Sequence, residues 1–275
     1  MPRRPVPSNR PVEDVASNGE PLLSIENVSV HFGGLVAVSN ISFVVKEGEV
    51  VSLIGPNGAG KTTAFNVITG FLAPTSGRVR YRGRDLSGMR PNQVAGLGLV
   101  RTFQKTSVFA KNTVLENILI GLHLQGTSRA WEVLLALGRV RTEDNRLRKK
   151  AVEILEFIGL SRRANEIGGA LAYGEQRLLE VAVALAANPT LLMLDEPVSG
   201  MNPSETEGFM KMLGLIRERG ITVLLVEHDM RMVMGVSGRV LVLNQGKIIA
   251  EGPPQEIQRH PEVIEAYLGQ GTQHA

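Results

Sequence analysis

Several short apolar segments of this chain end directly in polar residues, and this pattern predicts a buried β-sheet. Val50–Ile54, for example, places apolar residues on both faces of an extended strand, which is typical of parallel strands covered on both sides. The other segments of this kind are Leu99–Phe103, Leu191–Leu194 and Ile221–Val226. Because ligands bind beyond the carboxyl ends of the strands in an open parallel sheet, we expect the residues after these segments to form one site.

The chain before the first buried strand predicts a separate antiparallel β subdomain. Ser24–Phe32 and Ile41–Val45 have the composition of strands, and the turn-forming pair Gly33-Gly34 lies between them. Glycines mark the ends of the remaining core elements. These predicted elements are the helix Lys61–Thr69, the strand Arg78–Tyr81 and a final hairpin arm at Lys247–Ala250.

A long segment in the middle of the chain predicts helices and no strand. In Glu143–Ile158 apolar residues recur every three or four positions, which is the spacing of one helix face. Thr113–Leu122 and Ala130–Leu137 are also predicted to be helical. We therefore expect a helical subdomain, from about residue 106 to residue 175, inserted into an α/β core.

Both ends of the chain are predicted to lie outside the folded domain, which then covers residues 22–269. Residues 1–21 are rich in Pro, Ser, Asn and charged side chains, a composition typical of disordered segments, and residues 270–275 form a short tail. The chain has no cysteine, so it has neither disulfides nor thiolate metal sites. Its net charge of +3 over 275 residues is small, and we predict no nucleic-acid partner.

A glycine-rich loop follows the first buried strand and precedes a predicted helix. Its residues fit the pattern G-x-x-x-x-G-K-[S/T], in which backbone N–H groups surround phosphate oxygens and glycines allow the backbone to approach them. The helix that follows adds a partial positive charge of about half a unit. Lys61 supplies a full charge for the β- and γ-phosphates, and the hydroxyl of Thr62 is a ligand for Mg²⁺. The predicted phosphate contacts are Gly55, Pro56, Asn57, Gly58, Ala59, Gly60, Lys61, Thr62 and Thr63.

Two acids follow the apolar segment Leu191–Leu194. Asp195 is placed to hold Mg²⁺, as the second half of such a phosphate site. Side chains alternate along a strand, so the adjacent Glu196 is expected to point elsewhere, toward the attacking water. Taken alone, the pair fits equally well with two solvated acids at a strand end, and the phosphate loop upstream favours the metal site.

Between these motifs lies Leu171-Ala172-Tyr173-Gly174-Glu175-Gln176-Arg177, which resembles the LSGGQ signature of ATP-binding cassette (ABC) ATPases. Other cassette motifs occur in the expected order, and the resemblance covers Leu22–Leu268. It implies a P-loop NTPase (RecA-like) core with an N-terminal antiparallel β subdomain and an inserted α-helical subdomain. It also implies that ATP is hydrolysed with Mg²⁺, between two cassettes packed head to tail.

The resemblance implies roles for individual residues. Phe32 corresponds to an aromatic residue that stacks on adenine, Gln104 to the Q-loop glutamine, and His228 to the switch histidine. The implied catalytic residues are Lys61, Glu196 and His228, the implied metal ligands are Thr62, Gln104 and Asp195, and the further ATP contacts are Phe32, Gln104, Tyr173, Gly174 and Glu175. Three positions depart from the family pattern, namely Ala172 for serine, Tyr173 for glycine and Asn202 for aspartate.

Within the family, the details look most like ATPase subunits of branched-chain amino-acid uptake systems. The supporting segments include Arg101-Thr102-Phe103-Gln104 and the ending Pro261–Gly269. Such a resemblance implies a peripheral subunit on the cytoplasmic face of the cell membrane, docked to separate permease subunits. It also implies a second cassette and, indirectly, an external solute-binding protein.

The sequence leaves several alternatives open. The transported solute could be urea, another amide or another amino acid, and the partner cassette could be a second copy or a paralogue. A cassette ATPase outside transport and a module that only senses ATP are further candidates, although Glu196 and His228 argue against mere sensing. The basic cluster in residues 139–150 is either a solvated helix face or a contact for anionic lipid headgroups.

Overall fold

The computed structural model describes residues 20–102, 108–123 and 139–268, and these contain two β-sheets. The predicted tails at residues 1–21 and 270–275 and the predicted helix Ala130–Leu137 lie outside the described residues, apart from Glu20 and Pro21. The strands are β1 (Leu23–Phe32), β2 (Leu35–Val45), β3 (Val50–Ile54), β4 (Ser76–Tyr81), β5 (Arg84–Asp85), β6 (Leu99–Arg101), β7 (Leu191–Asp195), β8 (Thr222–Val226), β9 (Arg239–Asn244) and β10 (Lys247–Gly252).

The larger sheet has the strand order β10-β9-β3-β8-β7-β6. All neighbouring strands are parallel except β10, which pairs antiparallel to β9. Every residue of β3, β7 and β8 is buried, which explains why these strands are apolar on both faces. Leu53 lies opposite Val226, and Val226 lies opposite Asp195, so the carboxyl ends of three central strands are level with one another.

The smaller sheet is antiparallel, with the strand order β2-β1-β4-β5. The turn between β1 and β2 is at Gly33-Gly34, and Phe32 pairs with Leu35. The sequence prediction started the second strand at Ile41, whereas β2 starts at Leu35. The hairpin tip projects into solvent, where Leu35 is 66% exposed, so the burial that makes a strand recognisable in sequence is missing there.

Helices cover the main sheet and form a separate layer beside it. Helices α3, α4 and α5 pack against one another and share a hydrophobic core with one face of strands β3, β6, β7 and β8. The predicted extent of the helical subdomain, residues 106–175, stays a prediction. The helices are α1 (Lys61–Ile68), α2 (Pro91–Gly96), α3 (Val114–His123), α4 (Arg139–Ile158), α5 (Tyr173–Ala186), α6 (Pro203–Glu218), α7 (Met230–Val236), α8 (Pro254–Ile257) and α9 (Pro261–Leu268).

The last two helices pack beside the end of β3. Ile257 of α8 and Val263 of α9 are buried in one cluster with Ile54, the residue that directly precedes the predicted phosphate loop. This cluster also contains Val233 of α7, which follows His228. Among the described residues, no helix has both the length and the apolar composition needed to cross a membrane. The arrangement confirms the predicted α/β fold with its antiparallel β portion.

Candidate functional site

The loop between β3 and α1 has a backbone conformation that requires glycine. Gly55, Gly58 and Gly60 have φ angles of 148°, 78° and 105°, values that residues with a side chain rarely adopt. A Cβ atom on Gly55 would lie 2.0 Å from the carbonyl oxygen of Leu243, and one on Gly60 would lie 2.5 Å from that of Ala37. The loop is therefore packed closely on neighbouring backbone, and its conformation depends on the glycines that the sequence motif specifies.

Lys61 is the first residue of α1 and its side chain is folded back over the loop. Its Nζ donates hydrogen bonds to the carbonyl oxygens of Gly55 at 2.6 Å and Pro56 at 3.0 Å. Burial lowers the pKa of the Lys61 amine, while the charges of Glu196 and Asp195 oppose this shift. The lysine thus lies within electrostatic reach of both acids that the sequence analysis assigned to the site.

The remaining residues of the loop differ in their access to solvent. Asn57, Gly58 and Thr62 are exposed and Thr63 is half-buried, whereas Pro56 and Ala59 are buried. Helix α1 has no acidic residue in its first turn, so nothing in that turn offsets the positive end of the helix dipole. The exposed side therefore offers the Thr62 hydroxyl and the start of α1 to an anion.

Asp195 is the last residue of β7, and a buried arginine holds its carboxylate. Nη2 of Arg101 lies 2.6 Å from Oδ2 of Asp195, and both side chains are almost fully buried. Nη1 of Arg101 donates to Oδ1 of Asn66 in α1 at 2.7 Å, and its guanidinium lies 5.5 Å from the centre of the Phe65 ring. Arg101 therefore joins β6, β7 and α1, and sequence reasoning gave it no role of its own.

Glu196 leaves the strand in an unusual backbone conformation. Its φ angle is +47°, a left-handed value that is costly for a residue with a side chain and is concentrated at functional sites. Its N–H donates to the carbonyl oxygen of Val226 at 2.9 Å. Oε1 of Glu196 lies 3.8 Å from Nδ1 of His228, whose side chain is 58% exposed. The two predicted catalytic residues are therefore neighbours at the ends of β7 and β8.

Glu227 is a further residue of this site that the sequence analysis did not assign. It is fully buried, and Oε1 accepts a hydrogen bond from the N–H of Val198 at 3.2 Å. Oε2 accepts from the N–H groups of His228 at 2.8 Å and Asp229 at 3.1 Å. One carboxylate thus fixes the loops that follow β7 and β8. The only clue in the sequence is an acid placed directly between a buried strand and the histidine.

The signature residues lie at the start of α5. None of their contacts given below involves the phosphate loop. Tyr173 donates to the carbonyl oxygen of Ser199 at 2.9 Å, and Gly174 packs on Glu205 of α6. Glu175 accepts from the N–H of Ala172 at 3.2 Å and pairs with Arg163 at 3.0 Å. Their predicted contact with a nucleotide stays a prediction.

One further predicted contact among the described residues lies on the smaller sheet. Phe32 is at the tip of the β1–β2 hairpin and is 49% exposed, so its ring is accessible to a stacking partner. Gln104 lies outside the described residues.

The residues present fit a nucleoside triphosphate with Mg²⁺. The glycine loop provides backbone that a phosphate can approach, and Lys61 provides a cation beside it. The described residues contain no cluster of three or more His, Cys, Asp or Glu side chains suited to a metal ion. Mg²⁺ is commonly bound by one or two protein ligands together with substrate phosphates, and Thr62 with Asp195 would supply that number.

The main sheet is mostly parallel, with a glycine-rich loop and a buried lysine after β3 and an acid at the end of β7, on the other side of β8. This combination defines a P-loop nucleotide-binding protein. Comparison with known families makes the class more specific, because residues 38–199 match the ABC transporter family. The chain belongs to the ABC transporter family. Residues 247–272 also match a shorter model, described as branched-chain amino acid ATP-binding cassette transporter.

Individual relatives are similar over nearly the whole chain. The high-affinity branched-chain amino acid transport ATP-binding protein LivG of Salmonella typhimurium is 46% identical over 252 residues, which cover 91% of this chain and 99% of LivG. The corresponding protein BraF of Pseudomonas aeruginosa is 42% identical over 251 residues, covering 91% of this chain and 98% of BraF.

Solved cassettes have the same fold. An ATP-binding cassette of an ABC transporter in its ADP conformation superimposes with a TM-score of 0.80 at 34% identity, covering 91% of this chain and 100% of that one. A dimeric cassette in a post-hydrolysis state with ADP and phosphate gives a TM-score of 0.71 at 27% identity, covering 84% of this chain and 98% of that one. These similarities confirm the predicted family and fold.

Proposed function

We propose that this chain hydrolyses ATP with Mg²⁺ and thereby drives the uptake of branched-chain amino acids by an ABC importer. The observation that carries this proposal is the 46% identity to LivG over 91% of the chain, together with the match of its C-terminal residues 247–272 to a branched-chain amino acid cassette model. The side chains at the ends of β3, β7 and β8 provide the chemistry that such a role needs.

The proposed roles combine what the family resemblance implies with the geometry of the described side chains. Lys61, at the start of α1, binds the β- and γ-phosphates, and Thr62 and Asp195 would hold Mg²⁺, which neutralises phosphate charge when bound. Glu196 accepts a proton from the attacking water. His228, whose Nδ1 lies 3.8 Å from Oε1 of Glu196, orients that water and the γ-phosphate. Gln104 would complete the metal site, and Phe32 would stack on adenine.

The proposed assembly has two cassettes in a head-to-tail pair beneath the permease subunits, on the cytoplasmic face of the cell membrane. Tyr173, Gly174 and Glu175 of one cassette would contact the nucleotide held by the other. The inserted helices would carry the closing movement of the pair to the permease, and an external solute-binding protein would deliver the amino acid. ATP favours the closed pair only to the extent that it binds that state more tightly.

Hydrolysis is tested on the full-length chain by measuring phosphate release with ATP, with and without Mg²⁺. We expect Mg²⁺-dependent turnover and a loss of at least about 100-fold in the Glu196→Gln variant, since general base catalysis contributes about 10²–10⁴-fold. Binding of a fluorescent ATP analogue should be retained, because glutamine has nearly the same size as glutamate and the phosphate loop is unaltered. Full turnover in this variant would remove Glu196 from the mechanism.

The substrate is tested in cells that lack the gene for this chain. Uptake of radiolabelled leucine should fall and return when the parent chain, but not the Glu196→Gln variant, is supplied. The subunits that co-purify with the tagged chain should include permeases and show whether the second cassette is a copy or a paralogue. Unchanged leucine uptake, with loss of uptake of urea or another amide, would contradict the proposed substrate while leaving the ATPase proposal intact.

A further inference from the structure

The side chain of Tyr173 connects the start of α5 to the loop that follows β7. Its hydroxyl donates a hydrogen bond to the carbonyl oxygen of Ser199 at 2.9 Å. The ring packs on Gly200, where a Cβ atom would lie 3.2 Å from a ring carbon. Gly200 has a φ angle of +83°, so both its conformation and this contact favour the absence of a side chain. The loop, which we call the Ser199–Asn202 loop, is therefore shaped to receive the tyrosine.

A buried arginine sets the direction of this hydrogen bond. Nε and Nη2 of Arg177 both donate to the Tyr173 oxygen, at 3.1 and 2.7 Å. With both donors on the oxygen, the hydroxyl hydrogen is left to point at Ser199. Nη1 of Arg177 is held by Oε2 of Glu180 at 2.9 Å, and both of these side chains are over nine-tenths buried. The hydroxyl is thus preorganised by a network within α5.

A second contact joins the same two segments. A Cβ atom on Gly174 would lie 2.8 Å from Cδ of Glu205, so α5 approaches the first turn of α6 as closely as glycine permits. Oε2 of Glu205 accepts from the N–H of Asn202 at 2.9 Å, and Oδ1 of Asn202 accepts from the N–H of Glu205 at 3.0 Å. The far end of the Ser199–Asn202 loop is therefore fixed to α6, directly beside Gly174.

The near end of the loop is continuous with the candidate catalytic residue. The N–H of Ser199 donates to the carbonyl oxygen of Glu196 at 3.2 Å, and Glu227 accepts from Val198 between them. A displacement of Glu196 would therefore move Ser199. Because Tyr173 is hydrogen-bonded to Ser199, this displacement would also move the start of α5.

We propose that Tyr173 is a positioning residue that makes the start of α5 and the Ser199–Asn202 loop one mechanical unit, so that the Glu196 site of this chain is coupled to the surface it presents to a second cassette. This inference rests on the proposed function. The family pattern has glycine at this position, so a side-chain link of this kind is a property of chains with tyrosine here. The chemistry is a single directed hydrogen bond with a ring packed beneath it.

The test is the Tyr173→Phe variant, which keeps the ring on Gly200 and its stacking with the Arg177 guanidinium. It removes the hydroxyl, and with it the hydrogen bond to Ser199 and the two hydrogen bonds from Arg177. We expect amide hydrogen exchange in peptides covering Ser199–Asn202 to become about two- to tenfold faster, which is the factor that the loss of one hydrogen bond corresponds to. In the complex with which the full-length chain co-purifies, kcat for ATP should fall about five- to tenfold. Because phenylalanine retains the backbone and ring of residue 173 and the phosphate loop is unaltered, KM for ATP and binding of a fluorescent ATP analogue should stay within about twofold of the parent.

Ser204→Ala is the matched control, because it removes a hydroxyl from the first turn of α6 beside the same loop. Its exchange rates and kcat should equal those of the parent. Parental kcat and exchange in Tyr173→Phe would overturn the coupling, and so would a lower kcat with unchanged exchange in the loop. A parent that neither binds nor hydrolyses ATP would overturn the proposed function, while the exchange measurement would still decide whether Tyr173 holds the loop.

Discussion

Lys61, Asp195 and His228 lie at neighbouring strand ends but differ in their exposure to water. Lys61 and Asp195 are 8% and 3% exposed, whereas the His228 side chain is 58% exposed. A buried charge needs fixed partners, and these are the carbonyl oxygens of Gly55 and Pro56 for the lysine and Arg101 for the aspartate. The exposed histidine can reorient toward a phosphate, which suits a residue that responds to the γ-phosphate.

Replacing Lys61 tests the phosphate site directly. Lys61→Ala should weaken binding of a fluorescent ATP analogue by about 10- to 100-fold, because a hydrogen bond to a charged group contributes about 1.5–3 kcal/mol. Lys211→Ala is the control, since the Lys211 side chain is 77% exposed on α6, and its affinity should match the parent. Unchanged affinity in Lys61→Ala would contradict the assignment of the phosphate loop.

Ala172 is the N-cap residue of α5, a position at which serine is strongly preferred. Ala172→Ser should raise the free energy of unfolding by about 1 kcal/mol, because the new hydroxyl can accept from the free N–H groups of the first helical turn. It should also raise kcat in the assembled complex, since the new hydroxyl would add a hydrogen-bond donor beside the residues proposed to contact the partner's nucleotide. Urea unfolding and phosphate release provide the two measurements. If kcat stays at the parental value, the hydroxyl is unimportant at this position.

At the scale of elements, the site depends on loops that leave adjacent strands and share one buried carboxylate. Glu227 accepts hydrogen bonds from N–H groups on the loops after β7 and β8. The two loops carry Glu196 and His228 respectively, so Glu227 sets their separation. A carboxylate with its full acceptor capacity is needed there, because three backbone donors converge on two oxygens.

Glu227→Gln replaces one of these oxygens with an N–H₂ group that faces backbone donors. We expect the free energy of unfolding to fall by about 1–3 kcal/mol, the cost of leaving a buried donor unsatisfied, and kcat to fall more than the affinity for ATP. The control is Glu207→Gln, because that side chain is 56% exposed on α6. Parental stability and kcat in Glu227→Gln would show that the carboxylate does not set the two loops.

At the scale of the whole molecule, Arg239 joins the two sheets. Its Nε and Nη2 lie 2.7 and 2.9 Å from the Glu49 carboxylate, and Nη2 also donates to the carbonyl oxygen of Val44 in β2 at 2.7 Å. It contacts Glu251 of β10 as well. Burial raises the pKa of Glu49, but hydrogen bonds from Arg239 and from the N–H of Lys46, with the charges of both side chains, outweigh this, so the pKa lies below its ordinary value of 4.5.

Arg239→Met should therefore lower the free energy of unfolding by about 2–4 kcal/mol at neutral pH, since it leaves a largely buried carboxylate without its cation. A lowered pKa in the folded state stabilises the protein above the ordinary pKa, and this stabilisation is lost as the pH falls through the lowered value. The difference between parent and variant should consequently shrink below about pH 4.5. Urea unfolding between pH 3.5 and 7, at intervals of about half a unit, measures it.

Arg82→Met provides the comparison for a pair exposed to solvent. Arg82 and Glu47 form an ion pair at 3.1 Å, with side chains that are 54% and 64% exposed. Such pairs contribute about 0–1 kcal/mol, so this variant should remain close to the parent at every pH. Equal losses in Arg82→Met and Arg239→Met would indicate that burial of the Arg239 contacts has no special importance.

The buried strands β3, β7 and β8 and the composition of the phosphate loop could be predicted from sequence, because both depend on local constraints. Buried parallel strands must be apolar on both faces, and a turn with positive φ angles requires glycine, so each leaves a contiguous pattern. The start of β2 was missed for the same reason, since the exposed hairpin tip is not subject to the burial that makes a strand recognisable.

Only the tertiary structure decided which side chains act together. Arg101 and Asp195 are separated by 94 residues, Val198 and Glu227 by 29, and Tyr173 and Ser199 by 26. A polar residue in a linear pattern can be matched to many partners, and the choice among them is made when strands and helices pack. The sequence by itself thus determined the class of site and supplied candidate residues for it, whereas packing determined further residues, such as Arg101 and Glu227, and the links that hold the site in position.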